Sequence, residues 1–343
     1  MRRMIDLAER GLVPDALVRT GIRTLLVRHL EALGAGGPAA RRAREEAVLE
    51  RLAEGPVAVH TAEANAQHYE VPLAFFERIL GPRLKYSSGH WPEGVGTLAA
   101  AEESMLALTC ERAGIEDGMR ILDLGCGWGA LTLWLGERYP RARVLAVSNS
   151  ASQRRFIAER AARAGLARVE VVTADVNDFA PPGAFDRVVS VEMFEHVRNQ
   201  RELLRRVSAW LAPGGQLFLH VFAHRTTPYL FDTADEEAWM ARTFFTGGIM
   251  PSHGMYERFQ EHLALAESWW LPGTHYARTL EAWRVRLDAQ RAPIARLLAP
   301  HAPGGTARRT VQRWRMFLMA CAELFAFAGG GEWGLSHHRF VRR

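Results

Sequence analysis

The chain divides by the rhythm of its apolar positions. Over residues 5–55 they recur at helical spacing, in LVRTGIRTLLVRHLEAL and again in RRAREEAVLERLAEG, with a small-residue break at roughly 32–40. HYEVPLAFFERILGP (68–82) predicts a further helix, started near Pro72 and stopped at Gly81-Pro82. Residues 1–95 are expected to form a mostly helical region covering a site in the core. From about 97 the rhythm changes. After a helix in TLAAAEESMLALTCERAG, short apolar strands alternate with helices. The strands read RILDLG (120–125), RVLAVS (143–148), VEVVTA (169–174), FDRVVSV (185–191) and QLFLHVF (216–222). Strands separated by single helices imply a doubly wound, mostly parallel sheet, so 96–225 is expected to be a Rossmann-like α/β core. Beyond it, 226–330 reads as a helical lid and substrate region holding one strand near 263–271. Residues 331–343 read as the final strand of a seven-stranded sheet.

Composition narrows the class. A chain of 343 residues with 48% apolar and 24% charged positions buries a substantial core. The formal charge is +5, but the basic residues are scattered and Lys85 is the only lysine, so they read as solvated faces with no nucleic-acid partner. Cys110, Cys126 and Cys321 lie far apart, which argues against a disulfide framework. The histidines lack paired spacing on a helix, so no metal site is expected. The start, MRRMIDLAERGL, has no apolar core of a secretory signal. MFLMACAELFAFA (316–328) is too short to span a bilayer, so no stable membrane insertion and a cytoplasmic location are expected.

The turn after the first strand carries the first chemistry. Asp123-Leu-Gly-Cys-Gly-Trp-Gly129 places Gly125, Gly127 and Gly129 where a strand becomes a helix, so the backbone can turn sharply and approach a ligand. The order acidic-x-Gly-x-Gly differs from the Gly-x-Gly-x-x-Gly of a pyrophosphate cradle. Asp123 would repel a pyrophosphate but suits the cationic amino-acid end of S-adenosylmethionine. After the third strand, Asp175 and Val176 offer a carboxylate and backbone to an adenine. The second strand ends without an acid for ribose hydroxyls, leaving Ser148, Asn149 and Gln153 to hold them with neutral hydrogen bonds. Ser148 or Ser150 can equally cap the next helix. The fold expected is that of a class I methyltransferase using S-adenosylmethionine.

Three segments together resemble the cyclopropane fatty acid synthase superfamily of methyltransferases: HYEVPLAFFERILGPRLKYSSGHW (68–91), LDLGCGWG, and VEMFEHV (191–197). Within it the chain is most similar to the coclaurine-type N-methyltransferases. The likeness runs from VPDALVR (13–19) through EMFEHVRNQRELLRRVSAWL (192–211), DEEAWMARTFFTGGIMPS (235–252) and HYARTLEAW (275–283) to GGEWGLSHHRF (330–340). The resemblance gives Tyr86, Ser87, Gly125 and Gly127 to the methionine part of the cofactor. It gives Ser148 and Gln153 to the ribose and Asp175 to the adenine. Lipid-cyclopropanating members bind bicarbonate through a cysteine, a glutamate, a histidine and a tyrosine, whose matching positions here are Ser88, Glu195, His220 and Tyr276. The serine in place of cysteine counts against that ion and against cyclopropanation.

VEMFEHV sets Glu192, Glu195 and His196 just past the fourth strand, at the sheet edge where such folds bind substrate. An alkyl amine is mostly protonated at neutral pH and must lose that proton before it can attack a methyl carbon. A carboxylate can hold the ammonium and a nearby base can take its proton. Glu195 and His196 are read as the general-base pair, with Glu192 orienting the amine or the cofactor. Helix capping is the structural alternative for either glutamate. His220, Phe222, His224, Trp239, Phe244, Tyr276, Phe325 and Trp333, with Ser88, are expected to line a bulky, partly aromatic amine pocket. The sequence therefore predicts an N-methyltransferase of a small-molecule amine, tetrahydroisoquinoline-like or arylalkylamine, possible as a homodimer. The alternatives are a cyclopropane-fatty-acyl-phospholipid synthase or related lipid methyltransferase, and a cofactor-binding protein without activity.

Overall fold

The computed structural model describes residues 2–59, 71–231, 239–302 and 306–343; positions 68–70 and 235–238 of the resemblance segments lie outside them. Its centre is a seven-stranded sheet. The strands are β1 (Arg120–Leu124), β2 (Arg143–Ser148), β3 (Val169–Thr173), β4 (Phe185–Val191), β5 (Leu211–His224), β8 (Leu263–Pro272) and β9 (Trp333–Arg342), with β6 (Tyr229–Leu230) and β7 (Ile249–Met250) in a separate ribbon. The order across the sheet is β3-β2-β1-β4-β5-β9-β8. The first five strands run parallel, and β9 is antiparallel to both of its neighbours. Reversal of order at β1 opens a crevice beyond the carboxyl ends of β1 and β4, where doubly wound sheets take their ligands.

Local chemistry sets the helix ends. Among the described residues the helices are α1 (Arg2–Glu9), α2 (Asp15–Gly34), α3 (Gly37–Arg51), α4 (Leu73–Ile79), α5 (Leu98–Ala113), α6 (Ala130–Arg138), α7 (Ala151–Arg163), α8 (Gln200–Trp210), α9 (Trp239–Phe244), α10 (Thr274–Ala289), α11 (Arg291–Leu298) and α12 (Ala307–Ala326). Side-chain oxygens of Thr97, Ser150 and Asn199 accept from backbone N–H groups of the first turns of α5, α7 and α8, satisfying donors that have no partner within the helix. Ser150, and not Ser148, is the cap of α7. The small-residue break expected near 32–40 falls between α2 and α3.

Two details depart from the sequence reading. Strand β5 starts at Leu211, five residues early, because Leu211 pairs with Phe185 before a register shift at Phe185/Arg187, and Pro213-Gly214-Gly215 is carried inside that irregularity. The β6–β7 ribbon was not expected from the pattern.

Helices α10 to α12 connect β8 to β9 and pack against α4 through one large apolar cluster, including Phe75, Phe76, Trp283, Trp314 and Phe317. The amino-terminal helices clasp the last of them. Ala8 packs beside Met316 and Met319. Glu9 meets Arg309 and Arg313, and Arg19 and Arg23 share Glu323. Arg315, buried, joins Asp15 at 2.7 Å to Asp288 at 2.5 Å. Among the described residues no helix is long and apolar enough to cross a membrane.

Candidate active site

The crevice predicted by the topology is a cavity of about 1290 Å³ of empty space, its open mouth included. Tyr86, Ser87, Asp123, Gly125, Gly127, Ser148, Asn149, Gln153, Asp175 and Val176 all line it. The ten positions read as cofactor contacts come from four separate segments, and the fold brings them to one wall. Ala58 and Val59 close it from the amino-terminal side. Ala58 is tied there by hydrogen bonds with Asn177, which also donates to Asp175 Oδ1.

The glycine loop has two distinct roles. Gly125 stands at φ +89°, and a Cβ there would meet Met193 Cγ at 2.5 Å. Gly127, also left-handed at φ +52°, has nothing within 4 Å of its Cβ position. The first glycine lets Met193 pack against the loop, and the second leaves backbone facing open cavity.

Several polar groups there fit a nucleoside with an amino-acid tail. Ser148 Oγ donates to Gln153 Oε1 at 2.6 Å, and among the described residues the buried Gln153 amide nitrogen has no partner, nor has the indole N–H of Trp128. Buried donors without acceptors are costly, and ligand oxygens would satisfy them. Asp123 is buried and accepts from Thr132 Oγ1 at 2.6 Å. Burial pushes its carboxyl up to about 6, against the pull of the Thr132 hydrogen bonds. A cationic group beside it would pull its pKa back down. These residues suit S-adenosylmethionine.

At the end of β4 the chain turns through Glu192 at φ +49°, a strained conformation for a non-glycine residue. It is held by a bond from Glu192 N–H to the His220 carbonyl at 2.7 Å. The side chain is 7% exposed and lines the cavity. Its Oε1 accepts from Ser88 N at 2.9 Å, and its Oε2 from the Tyr276 hydroxyl at 2.6 Å. His220 Nε2 lies 3.3 Å from Oε1, a close contact that lacks hydrogen-bond alignment. Burial alone would raise the Glu192 carboxyl. The adjoining His220, the Lys85 charge and the Ser88 N–H outweigh it and hold the group below the usual glutamate range.

The other two members of the cluster part company. His196 lines the cavity and stacks on Phe245 at 5.3 Å. Burial lowers it to about 4, against the opposing charge of Glu192, so the imidazole is neutral at pH 7. Glu195 is fully buried and is not part of the lining. Its Oε1 accepts from Phe222 N at 2.7 Å, and among the described residues Oε2 has no partner. Burial, reinforced by Glu192, pushes its carboxyl well up, which favours the neutral acid. Ser88, His220 and Tyr276, the positions matching bicarbonate ligands, therefore converge on Glu192 and not on Glu195.

The expected aromatic pocket divides as well. Tyr276 stacks on Phe325 at 4.5 Å, and Phe222 meets the edge of Phe325 at 6.2 Å, forming a layer behind Glu192. His224 and Trp333 pack edge-to-face at 5.3 Å, and Trp333 Nε1 donates to the Tyr229 hydroxyl. Phe244 stacks on Phe317 at 4.3 Å, and Trp239 donates to Glu9. None of the nine lines the cavity; large rings are better buried against each other than left on a wet wall. Lys85, Trp128 and Met193 do line it, and none was singled out from sequence. Lys85 alone left a signal, as the only lysine in the chain.

Residues 58–329 match the mycolic acid cyclopropane synthetase family. The chain belongs to that family. It is 36% identical over 343 residues to the (S)-coclaurine N-methyltransferase of Thalictrum flavum subsp. glaucum, covering 98% of this chain and 94% of that one. Identity to the cyclopropane-fatty-acyl-phospholipid synthase of Escherichia coli (strain K12) is 31% over 261 residues, 76% of this chain and 63% of that one. The crystal structure of a coclaurine N-methyltransferase bound to N-methylheliamine and SAH matches with a TM-score of 0.94 at 35% identity, covering 98% of each chain. A cyclopropane synthase from Mycobacterium tuberculosis matches with a TM-score of 0.71 at 25% identity, covering 83% of this chain and 99% of that one. This member of the family is a class I methyltransferase dependent on S-adenosylmethionine.

Proposed function

We propose that this enzyme N-methylates a small-molecule amine with a tetrahydroisoquinoline-like or arylalkylamine frame. The supporting observation is Glu192: an ionised carboxylate, buried, fixed by three neighbours and facing the same cavity as the glycine loop. An organic ammonium is its natural counter-ion, because a charge pair in so dry a place is far stronger than in water. The relatives named for coclaurine, pavine and tetrahydroprotoberberine N-methylation lend the substrate class.

The donor, when bound, supplies a methyl group on a sulfonium, whose carbon–sulfur bond breaks as the amine nitrogen bonds to the carbon. The protein has to present that nitrogen with a free lone pair. In this reading Glu192 captures the ammonium form and orients it. His196, neutral and beside it on the cavity wall, takes the proton and, being a weak base, sheds it to solvent. Once methylated, the nitrogen is cationic again and Glu192 carries its charge. Glu195, sealed outside the cavity lining with its neutral acid favoured, is given no proton to take in this reading; it holds the β5 backbone at Phe222 and so supports the layer behind Glu192. The cofactor roles follow the cavity: Asp123 for the amino group, the 125–127 loop with Tyr86 and Ser87 for the methionine part, Ser148, Asn149 and Gln153 for the ribose, Asp175 and Val176 for the adenine.

The test is a methyl-labelled cofactor offered with cyclic secondary amines, linear amines or unsaturated phospholipid vesicles. Label is expected in the cyclic or arylalkyl amines; label only in lipid refutes the proposal. Glu192→Gln should lower kcat by roughly two orders of magnitude or more while SAH still binds, as measured by calorimetry.

A further inference from the structure

Lys85 is the only lysine in the sequence, all other strongly basic positions being arginine. Among the described residues it is also the one strongly basic residue in the cavity lining. Where a lysine is exposed, arginine substitutes at little cost; this one is 3% exposed. Its Nζ donates to Ser87 Oγ at 2.5 Å and to the Ser88 carbonyl at 2.8 Å. The N–H of that same Ser88 donates to Glu192 Oε1. An ammonium and a carboxylate thus grip one residue from its two ends. The loop leading into Lys85 is itself pinned, since Gly81 N and Arg83 N both donate to the buried Glu102 on α5 at 2.9 Å.

The groups facing Lys85 can be named element by element. Glu102 lies on α5 and Glu192 beyond β4, and both favour the ammonium. His220 on β5 and His337 on β9 feel its charge, and burial keeps both imidazoles pulled down toward the neutral form. Tyr276 on α10 reaches Glu192 from the other side. Burial lowers Lys85 itself to about 8 despite the two carboxylates. A lysine suits the position for two reasons. Its compact head rotates three donors onto a hydroxyl and a carbonyl, whereas a guanidinium presents a rigid planar fork. It is also the cation nearest to hand in a pocket where Glu192 must stay charged.

We propose that Lys85 is a positioning residue for the acceptor side of the site, fixing the Ser87–Ser88 turn onto Glu192 and supplying the charge that keeps Glu192 ionised. Its catalytic consequence rests on the amine reading above; its coupling to Glu192 does not.

A single lysine makes the test direct, because protein labelled with [15N]lysine carries one side-chain Nζ resonance. Its titration is followed by NMR in the wild type and in Glu192→Gln. Loss of the carboxylate should lower the Lys85 pKa by about one unit or more. An unmoved pKa, or titration near that of free lysine at about 10.4, overturns the inference. The second arm compares rate–pH profiles of wild type, Lys85→Met and Lys85→Arg with an amine that the wild type methylates. In Lys85→Met the acid limb should move up by about one unit, with Lys85→Arg restoring its position but not the full rate. A lower rate with an unmoved limb indicates a merely structural role and overturns the proposal. If no amine is methylated by the wild type, the amine reading fails while the NMR titration still decides the coupling.

Discussion

Two alanine substitutions two residues apart should fail in different ways. At Gly125 the backbone is left-handed, which costs a non-glycine residue about 1–2 kcal/mol. The added Cβ would also sit 2.5 Å from Met193 Cγ, an overlap of the kind that costs about 1–3 kcal/mol when packed neighbours have to shift. Gly125→Ala should therefore lose about 2–5 kcal/mol of stability. Gly127→Ala carries the same backbone term but meets nothing within 4 Å, so its stability loss should stop at about 1–2 kcal/mol. Its methyl group projects where the ligand is expected, which transfers the overpacking term to binding. SAH should bind about 5- to 150-fold more weakly, the equivalent of about 1–3 kcal/mol. Urea unfolding without ligand separates the two stabilities, and calorimetry with SAH separates the affinities. Saturating ligand gives an internal check, since ligand at 100 times its Kd adds about 2.7 kcal/mol to the wild type and should add less to Gly127→Ala. Equal unfolding midpoints for both variants, or wild-type SAH affinity in Gly127→Ala, would refute this division of the loop.

Tyr276→Phe removes a bond to an ionised group and should cost about 1.5–3 kcal/mol at pH 7. Because Glu192 titrates below the usual range when folded, that deficit should disappear as pH falls through its folded pKa; urea melts at several pH values check it. Asp123 behaves in the opposite sense. Its folded pKa of about 6 lies above the ordinary value of 3.8, so the stability contributed by its protonated form is lost as pH rises through about 6. If Asp123 ionises to hold an amino group, SAH affinity should climb with pH up to about 6 and then level. Asp123→Asn should flatten that climb, and an unchanged slope in calorimetry argues against the contact. Arg315→Ala leaves Asp15 without its cation, while Asp288 keeps Arg284 and Arg291; it should cost about 1.5–3 kcal/mol, read by denaturant unfolding.

The parallel core was readable because a buried strand followed by an amphipathic helix has a distinctive rhythm, repeated from Arg120 to Trp210. The cavity wall was readable for a related reason: apart from Tyr86 and Ser87, its expected residues sit at or just beyond strand ends, whose place in this topology is fixed by strand order. What lay beyond the first five strands was harder. Nothing in a linear pattern states that β9 inserts between β5 and β8, since that depends on which edge the returning chain meets. The glutamates show the same limit. Glu192 and Glu195 look interchangeable in VEMFEHV, but a left-handed residue followed by the 3₁₀ turn at Phe194–His196 sends one carboxylate to the cavity and seals the other in the core. Lys85 was visible as a count and passed over as a charge. The aromatics were recognised as a group, yet their spacing could not tell a wall facing ligand from one facing itself.

The clasp between α1–α2 and α12 joins positions about 300 residues apart, as in the pairs Glu9–Arg309 and Asp15–Arg315. On a ribosome adding about 5–20 residues per second, the first two helices wait about 15–60 s for the helix they grip. Throughout that interval their acidic and arginine side chains face solvent and other partners. The five parallel strands and the glycine loop precede α12 in the chain and can form before the clasp exists, whereas β9 follows it. Donor binding is therefore available to a nascent chain earlier than a finished acceptor side, and the last ion pairs to close are those that brace the helix beneath Tyr276 and Phe325.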